Sequence, residues 1–262
     1  MQNSFLYSPE FSSFNVFGLE IYFYGIILAL AVLAGVFTAH KLYKKFYGTD
    51  GLFFIYDYSP YLILAGIFGA RLYYCLVNLP YYTVNPSEIL YIRQGGMSVH
   101  GMIIAGIFTL WAISKFKKVS FLKLADVYMC SSLLAQSIGR WGNFFNNEAF
   151  GYPTNGSWGL FIPVSKRPVE FINYEYFHPA FLYESILDFI GFLILLLLFR
   201  KFSSKPGLTA CGYLILYSLI RIFTESFRVD SALNISNYPI AAIMSVFIII
   251  VGVLSAVFIC KR

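Results

Sequence analysis

Between Gly139 and Gly159 the chain reads GRWGNFFNNEAFGYPTNGSWG, a polar, glycine-rich stretch set between long apolar runs. It gathers Arg140, Asn143, Asn146, Asn147 and Glu148 in a protein of which only 12% of residues are charged. Other ionisable residues recur at helical spacing. Arg221, Glu225 and Arg228 stand at i, i+4 and i+7, on one face of one helix, and Glu184 and Asp188 share a face in the same way. Arginine stays charged, and its planar fork grips phosphate through two parallel hydrogen bonds. Arg140 and Arg221 are therefore candidates to clamp a phosphodiester, with Arg71 or Arg228 behind them. Arginine and carboxylate are costly near hydrocarbon, so such a set beside apolar runs points to chemistry on a charged lipid headgroup.

The elements that must hold these residues are membrane helices. The 262 residues are 58% hydrophobic, with a mean hydropathy of +0.68, too little charge to cover a soluble domain of this size. Crossing about 30 Å of hydrocarbon takes roughly 20 residues. Seven runs approach that length, at 19–39, 57–78, 97–114, 122–139, 180–199, 208–226 and 238–260. Many of the 21 tyrosines sit at segment ends, as an interfacial aromatic belt places them. Fold class is thus expected to be an all-α polytopic membrane protein with about seven spans, a single membrane-embedded domain over residues 1–262.

Lys41, Lys44, Lys45, Lys115, Lys117, Lys118, Lys123, Arg200, Lys201, Lys205, Lys261 and Arg262 follow the first, third, fifth and seventh runs, and make up twelve of the nineteen basic residues. All fall on one side, which the positive-inside rule makes cytoplasmic, with the N-terminus out and the C-terminus in. The net charge of +6 is then a signal of topology and of anionic lipid, and nothing calls for nucleic acid. The first 18 residues carry no Lys or Arg, so the first run is expected to remain as an anchor. The connection 140–179 is the one large enough to form a small outer, periplasmic head. Pro153, Pro163, Pro168 and Pro179 argue there for turns and short strands.

On this topology, polar residues gather near the outer level: Glu20 and Tyr24, Arg71, His100, Gln136 and Arg140, His178, Glu184 and Asp188, then Arg221, Glu225 and Arg228. Each has a plainer reading. Arg221 with Glu225 is as suited to locking helices as to touching substrate, and Arg71 reads as an ion-pair partner. His100 alone reads as a hydrogen-bonded interior histidine, and the asparagines and glycines of 139–159 as caps and turns. Asp57 and Asp126, near the inner ends, read as helix-terminal or pairing residues. Cys75, Cys130, Cys211 and Cys260 have neither metal nor redox spacing and read as packed thiols. No metal or cofactor is implied, because no His/Cys/Asp cluster has ligand spacing.

The segment IGRWGNFFNNEAFGYPTNGSWG at 138–159 resembles the signature of the prolipoprotein diacylglyceryl transferase family, enzymes of the bacterial inner membrane. YFYG at 22–25, GARLYY at 69–74, GGMSVHG at 95–101, HPAFLYE at 178–184 and YSLIRIFTESFRVD at 217–230 resemble further family stretches in the same order. Met102, Phe181, Ser157 and Ser226 depart from the usual pattern, and none of these changes removes an ionisable group. The resemblance implies a seven-span, N-out protein that transfers the diacylglyceryl group of phosphatidylglycerol to the lipobox cysteine of a prolipoprotein signal peptide. It implies functional importance for Tyr24, His100, Arg140, Asn143, Glu148, Gly151, Arg221 and Glu225, and also points to His178, Tyr183 and Glu184.

Roles follow from side-chain chemistry. Arg140 and Arg221 would hold the leaving phosphate's charge. His100 is the natural base for the thiol, its ordinary pKa lying near neutral, while Glu148 or Glu225 could take the proton or orient an arginine. Asn143 and Asn146 are candidates for the headgroup hydroxyls, with Gly151 beside them. A lipid or small-anion transporter is the competing class, since intramembrane arginines also line permeation paths. It should show polar groups through the full membrane depth or duplicated halves, and neither is visible. An assembly subunit, whose charges only hold helices together, should tolerate Arg-to-Lys exchange.

Overall fold

Seven of the helices are long, and their length comes from the apolar runs. In a computed structural model describing residues 6–48, 54–92, 95–229, 234–235 and 238–261, these are α1 (Phe23–Tyr47), α2 (Phe54–Val77), α4 (Val99–Phe116), α5 (Phe121–Asn146), α6 (Ala180–Phe202), α7 (Leu208–Glu225) and α8 (Ile240–Lys261). A short helix α3 (Leu79–Val84) follows α2. Six of the long helices are long and apolar enough to cross a membrane. The seventh, α5, has the length at 26 residues but carries Lys123, Asp126, Gln136, Arg140, Asn143 and Asn146. Asp230, the end of the last motif, and Arg262 of the last basic cluster lie outside the described residues, as do parts of the connections 79–96 and 227–237.

The chain divides into two compact units, Met1–Thr38 with Asp126–Arg262, and Ala39–Ala125. In the first, helix α5 runs past the expected end of its apolar run at residue 139. No proline interrupts it there, and Asn147, in the left-handed region at φ +57°, ends it, a conformation asparagine tolerates better than most residues. The Asn147 side chain donates to the Pro9 carbonyl at 3.1 Å. Arg140, Asn143 and Asn146 therefore project from a helix, whereas the connection 140–179 was expected to carry them as irregular chain.

The irregular head begins at Asn147. Strands β1 (Leu6–Tyr7), β4 (Leu160–Phe161) and β5 (Tyr176–Phe177) form a small sheet, β4 pairing parallel to β1 and antiparallel to β5. Ala149, Phe150, Leu160, Ile162, Phe177, Phe181 and Leu182 form its core, with Phe144 packed against them. The head is thus anchored by apolar residues of α5 and α6, the two helices it connects. Strands β2 (Ser13–Val16) and β3 (Leu19–Tyr22) make a hairpin whose two-residue turn, Phe17–Gly18, has positive φ at both positions. Two more short strands, β6 (Asn234–Ile235) and β7 (Tyr238–Pro239), precede α8.

Asp126 is the buried exception in α5. Its carboxylate accepts from the backbone N–H of Gly207 and of Ala210, both at 2.7 Å, and so caps the N-terminus of α7, near the helix-terminal role expected of it. Ser137 and Ser185 exchange hydroxyl-to-carbonyl bonds at 2.8 Å between α5 and α6. In the second unit α2 crosses α4 closely. A Cβ added at Gly69 would meet the carbonyl of Gly101, and one at Gly101 that of Gly69. Cys75, Cys130 and Cys211 are buried free thiols, and Cys260 is exposed.

Candidate active site: an arginine–carboxylate cluster

Three helices of the first unit deliver most of the charged residues to one point. Helix α7 ends at Glu225, so Arg228, expected on its face at i+7, joins them instead from the chain just beyond the helix. Glu184, in the first turns of α6, is buried, its side chain only 1% exposed. Its Oε1 takes an ion pair from Arg140 Nη2 of α5 at 2.5 Å and lies 3.7 Å from Arg221 Nη1 of α7. Arg228 Nη1 lies 4.0 Å from its other oxygen. Arg221 Nη2 also pairs with Glu225 Oε2 at 2.7 Å, the i, i+4 contact expected along α7. The carboxylates are buried beneath, while the side chains of Arg140 and Arg221 remain 20% and 19% exposed.

This arrangement suits anion binding. Carboxylates make removal of the guanidinium groups from bulk water tolerable, and the partial exposure of Arg140 and Arg221 leaves room for a ligand to meet N–H donors. Three arginines against Glu184 and Glu225 leave a formal charge of +1, matched to one phosphodiester. The carboxylate at the centre is Glu184. Glu148, offered by the sequence as a proton acceptor or arginine partner, is exposed and makes no ion pair among the described residues. Its backbone N–H bonds to the Asn143 carbonyl at 2.9 Å.

The signature residues frame the cluster through the backbone. Gly151 donates to the His178 carbonyl at 2.7 Å, and Tyr152 donates to the Phe227 carbonyl at 2.8 Å. Gly151 also bridges Arg228, and a Cβ there would sit 2.8 Å from His178 Cβ. Glycine is required because loop, His178 and the end of α7 meet at that residue. Tyr24 packs on Gly142, where a Cβ would lie 2.8 Å from its ring. Tyr24 is thus seated on the signature helix one half-turn beyond Arg140. His178 Nδ1 lies 3.2 Å from the Tyr183 hydroxyl, and both rings pack on Phe227. Asn143 and Asn146 are half-buried near the end of α5.

Glu20 stands apart from the ion pairs. Its carboxylate accepts from the Ser13 hydroxyl at 2.6 Å within the hairpin. That bond, with a second from Tyr22, holds Glu20 below its ordinary carboxylate range.

His100 and Arg71 belong to the second unit. His100 lies in the first turn of α4, exposed, its ring stacked on Tyr73 at 5.9 Å and beside the close crossing at Gly101. Arg71 is buried but has no carboxylate partner among the described residues. It donates to the carbonyls of Glu88, Ile89, Gly95 and Gly96 at 2.5–2.9 Å, under the rings of Tyr74 and Tyr82. The ion-pair role expected of it is thus replaced by a tie between α2 and the loop that returns to α4. Gly95 and Gly96, with φ of +90° and +70°, allow both carbonyls to turn toward one guanidinium. Nothing in the sequence marks a carbonyl as a ligand, so this role was not visible there.

A family model for prolipoprotein diacylglyceryl transferase matches residues 12–258. Among curated proteins, a phosphatidylglycerol--prolipoprotein diacylglyceryl transferase of Prochlorococcus marinus is 36% identical, covering 99% of this chain and 95% of the relative. A protein of the same name from Nostoc sp. is 42% identical over 89% of this chain and 83% of its own length. Another from Parasynechococcus marenigrum is 41% identical, with coverage of 94% and 92%.

Proposed function

Because the chain belongs to the prolipoprotein diacylglyceryl transferase family, we propose that it transfers the diacylglyceryl group of phosphatidylglycerol to the lipobox cysteine of a prolipoprotein. The product is a thioether and the leaving group glycerol phosphate, the first step of bacterial lipoprotein maturation. The single observation that carries the chemistry is the buried Glu184 gathering Arg140 of α5, Arg221 of α7 and Arg228 just beyond α7, with the Arg140 and Arg221 side chains about a fifth exposed.

In the reaction the cysteine sulfur attacks a glyceryl carbon, and the C–O bond to phosphate breaks with its electrons on oxygen. Charge grows on the phosphate, where preorganised guanidinium groups stabilise it most. Arg140 and Arg221 are the proposed clamp, Glu184 and Glu225 orient it, and Arg228 adds charge behind. Asn143 and Asn146 are proposed to hold headgroup hydroxyls at the end of α5. Tyr24, seated on Gly142, contributes its hydroxyl at the same end. Gly151 acts by letting the signature loop close on His178 and the end of α7. The thiol must become a thiolate, and His100 is the proposed base on the strength of its imidazole chemistry and exposure. Glu148, exposed and outside the ion pairs, remains a proposed proton acceptor for the same step.

The membrane placement belongs to the same reading. Helix α5 is taken as a seventh span, since its polar residues Gln136 and Arg140 meet partners on α7 and α6. The lysine-rich ends of α1, α4, α6 and α8 are taken as cytoplasmic. This puts the N-terminus and the arginine cluster on the outer side of a bacterial inner membrane, where lipobox peptides emerge. A transporter is not favoured, because residues 12–258 match a transferase family.

The test is a transfer assay in mixed micelles, with phosphatidylglycerol and a lipobox peptide carrying one cysteine, followed by mass spectrometry. The peptide is expected to gain a diacylglyceryl mass, and Arg140→Ala to abolish the gain while the protein stays folded. Near-normal transfer by Arg140→Ala would refute the clamp. No gain with the native protein across varied anionic lipids would refute the transferase reading.

A further inference from the structure

A second polar layer lies one helical turn beneath the ion pairs. Gln136 on α5, Asp188 on α6 and Tyr217 on α7 are each four residues from Arg140, Glu184 and Arg221 respectively, on the same faces. Gln136 Nε2 donates to the Tyr213 hydroxyl at 3.0 Å, and the Tyr213 and Tyr217 rings stack at 5.7 Å. Asp188 is 0% exposed. Neither of its oxygens has a hydrogen-bond partner among the described residues, and Gln136 Oε1 and Ser218 Oγ share that condition. Electrostatically Asp188 faces Arg140 from α5, Glu184 on its own helix, and Tyr213, Tyr217 and Arg221 from α7. The arginines nevertheless pair with Glu184 and Glu225.

Buried polar atoms in proteins are almost always bonded to protein or to ordered water. Orphaned atoms on three helices within one layer therefore call for ordered water as their partner. The charge count above them adds a requirement. The cluster's +1 matches a phosphodiester of charge −1, but breaking the C–O bond leaves a phosphate monoester of −2 unless a proton arrives.

We infer that Asp188 supplies that proton, through water held against Gln136 and Ser218, to the phosphate oxygen released in the transfer. The inference rests on the transferase reading. Sulfur forms the C–S bond, and the electron pair of the broken C–O bond stays on the phosphate oxygen, which takes the proton. The proton lost by the thiol to the base restores Asp188 after glycerol phosphate leaves. One proton has then moved from sulfur to glycerol phosphate. Lipid and product each carry −1, so the bound ligand presents the same charge to the cluster before and after transfer.

The experiment uses the full-length protein in the micelle assay, measuring kcat and KM for phosphatidylglycerol against pH. Asp188→Asn is expected to lower kcat by about 10²-fold or more, with KM unchanged within about twofold, the behaviour of a lost proton donor. The fall of wild-type kcat toward alkaline pH should be absent in this variant, and Asp188→Glu should recover at least a tenth of the activity. Ser218→Ala, which loses a water ligand and leaves every ion pair intact, should lower kcat roughly threefold to tenfold. An Asp188→Asn enzyme with wild-type kcat, or with a loss confined to KM, overturns the inference. Should Asp188→Asn fail to insert, an unaltered kcat in both Ser218→Ala and Gln136→Leu overturns it as well. Failure of the native protein to modify the peptide would strike the transferase reading instead.

Discussion

Arg71 and Arg140 both sit toward the end of a long helix, and both are largely withdrawn from solvent, yet the protein uses them in opposite ways. Arg71 is 7% exposed and gives N–H bonds to four backbone carbonyls. A guanidinium has five such donors, so almost nothing is left for a ligand. Arg140 meets a buried carboxylate through one nitrogen and keeps a fifth of its side chain exposed. Carbonyls consume donors and hold a loop in place. A carboxylate beneath compensates the charge and leaves the outer edge free. The type of partner, more than burial, decides whether an intramembrane arginine is a strut or a candidate phosphate ligand.

Paired substitutions test this contrast most directly. Arg140→Lys removes the fork and should lower transfer by about 10²–10³-fold, the usual loss when a transition-state donor goes. Arg71→Lys should leave turnover within about tenfold but destabilise the protein by about 2–4 kcal/mol, as buried carbonyls lose donors. Thermal unfolding beside the transfer assay reads both. A large turnover loss in Arg71→Lys with unchanged stability would erase the distinction.

A smaller effect is expected where a carboxylate caps a helix. Asp126 accepts two N–H bonds at the start of α7, and Asp126→Asn can accept only one of them well. The variant should lose about 1–2 kcal/mol, seen as a lower melting temperature with normal turnover below it. Unchanged melting would show that the cap contributes nothing.

The smallest effect belongs to Glu20 in the exposed hairpin. Its carboxyl titrates below the ordinary range because the ionised form accepts from Ser13 and Tyr22. The stabilisation is therefore present above the unfolded carboxylate value and is lost as pH falls through the lower folded value. Amide exchange in residues 13–22 should accelerate on acidification in the native protein, and Glu20→Gln should abolish that dependence. Equal acid sensitivity in the two would assign it elsewhere.

Much of this was legible beforehand. Apolar length announced the membrane helices, and the spacing of Arg221 with Glu225 announced their ion pair, because a helix fixes which neighbours meet along one segment. Gln136, Glu184 and Asp188 were recognisable as unusual residues at a helix end. What could not be read was the partner across helices. Glu184 is central and Glu148 is peripheral, although both are glutamates in motif stretches. Helix α5 carries the signature to Asn146, beyond the apolar run, since its last turns are stabilised by the core packed on Phe144 and by the αL stop at Asn147.

Sequence alone determined that this is a helical membrane protein of the diacylglyceryl transferase family, because hydrophobic length and motif order are properties of the chain read in one dimension. Tertiary structure decided which charges meet. Arg140, Glu184 and Arg221 come from three helices, and distances between helices depend on packing that no local spacing encodes. The same packing placed Asp188 without a bonded partner beneath them and turned four carbonyls onto Arg71.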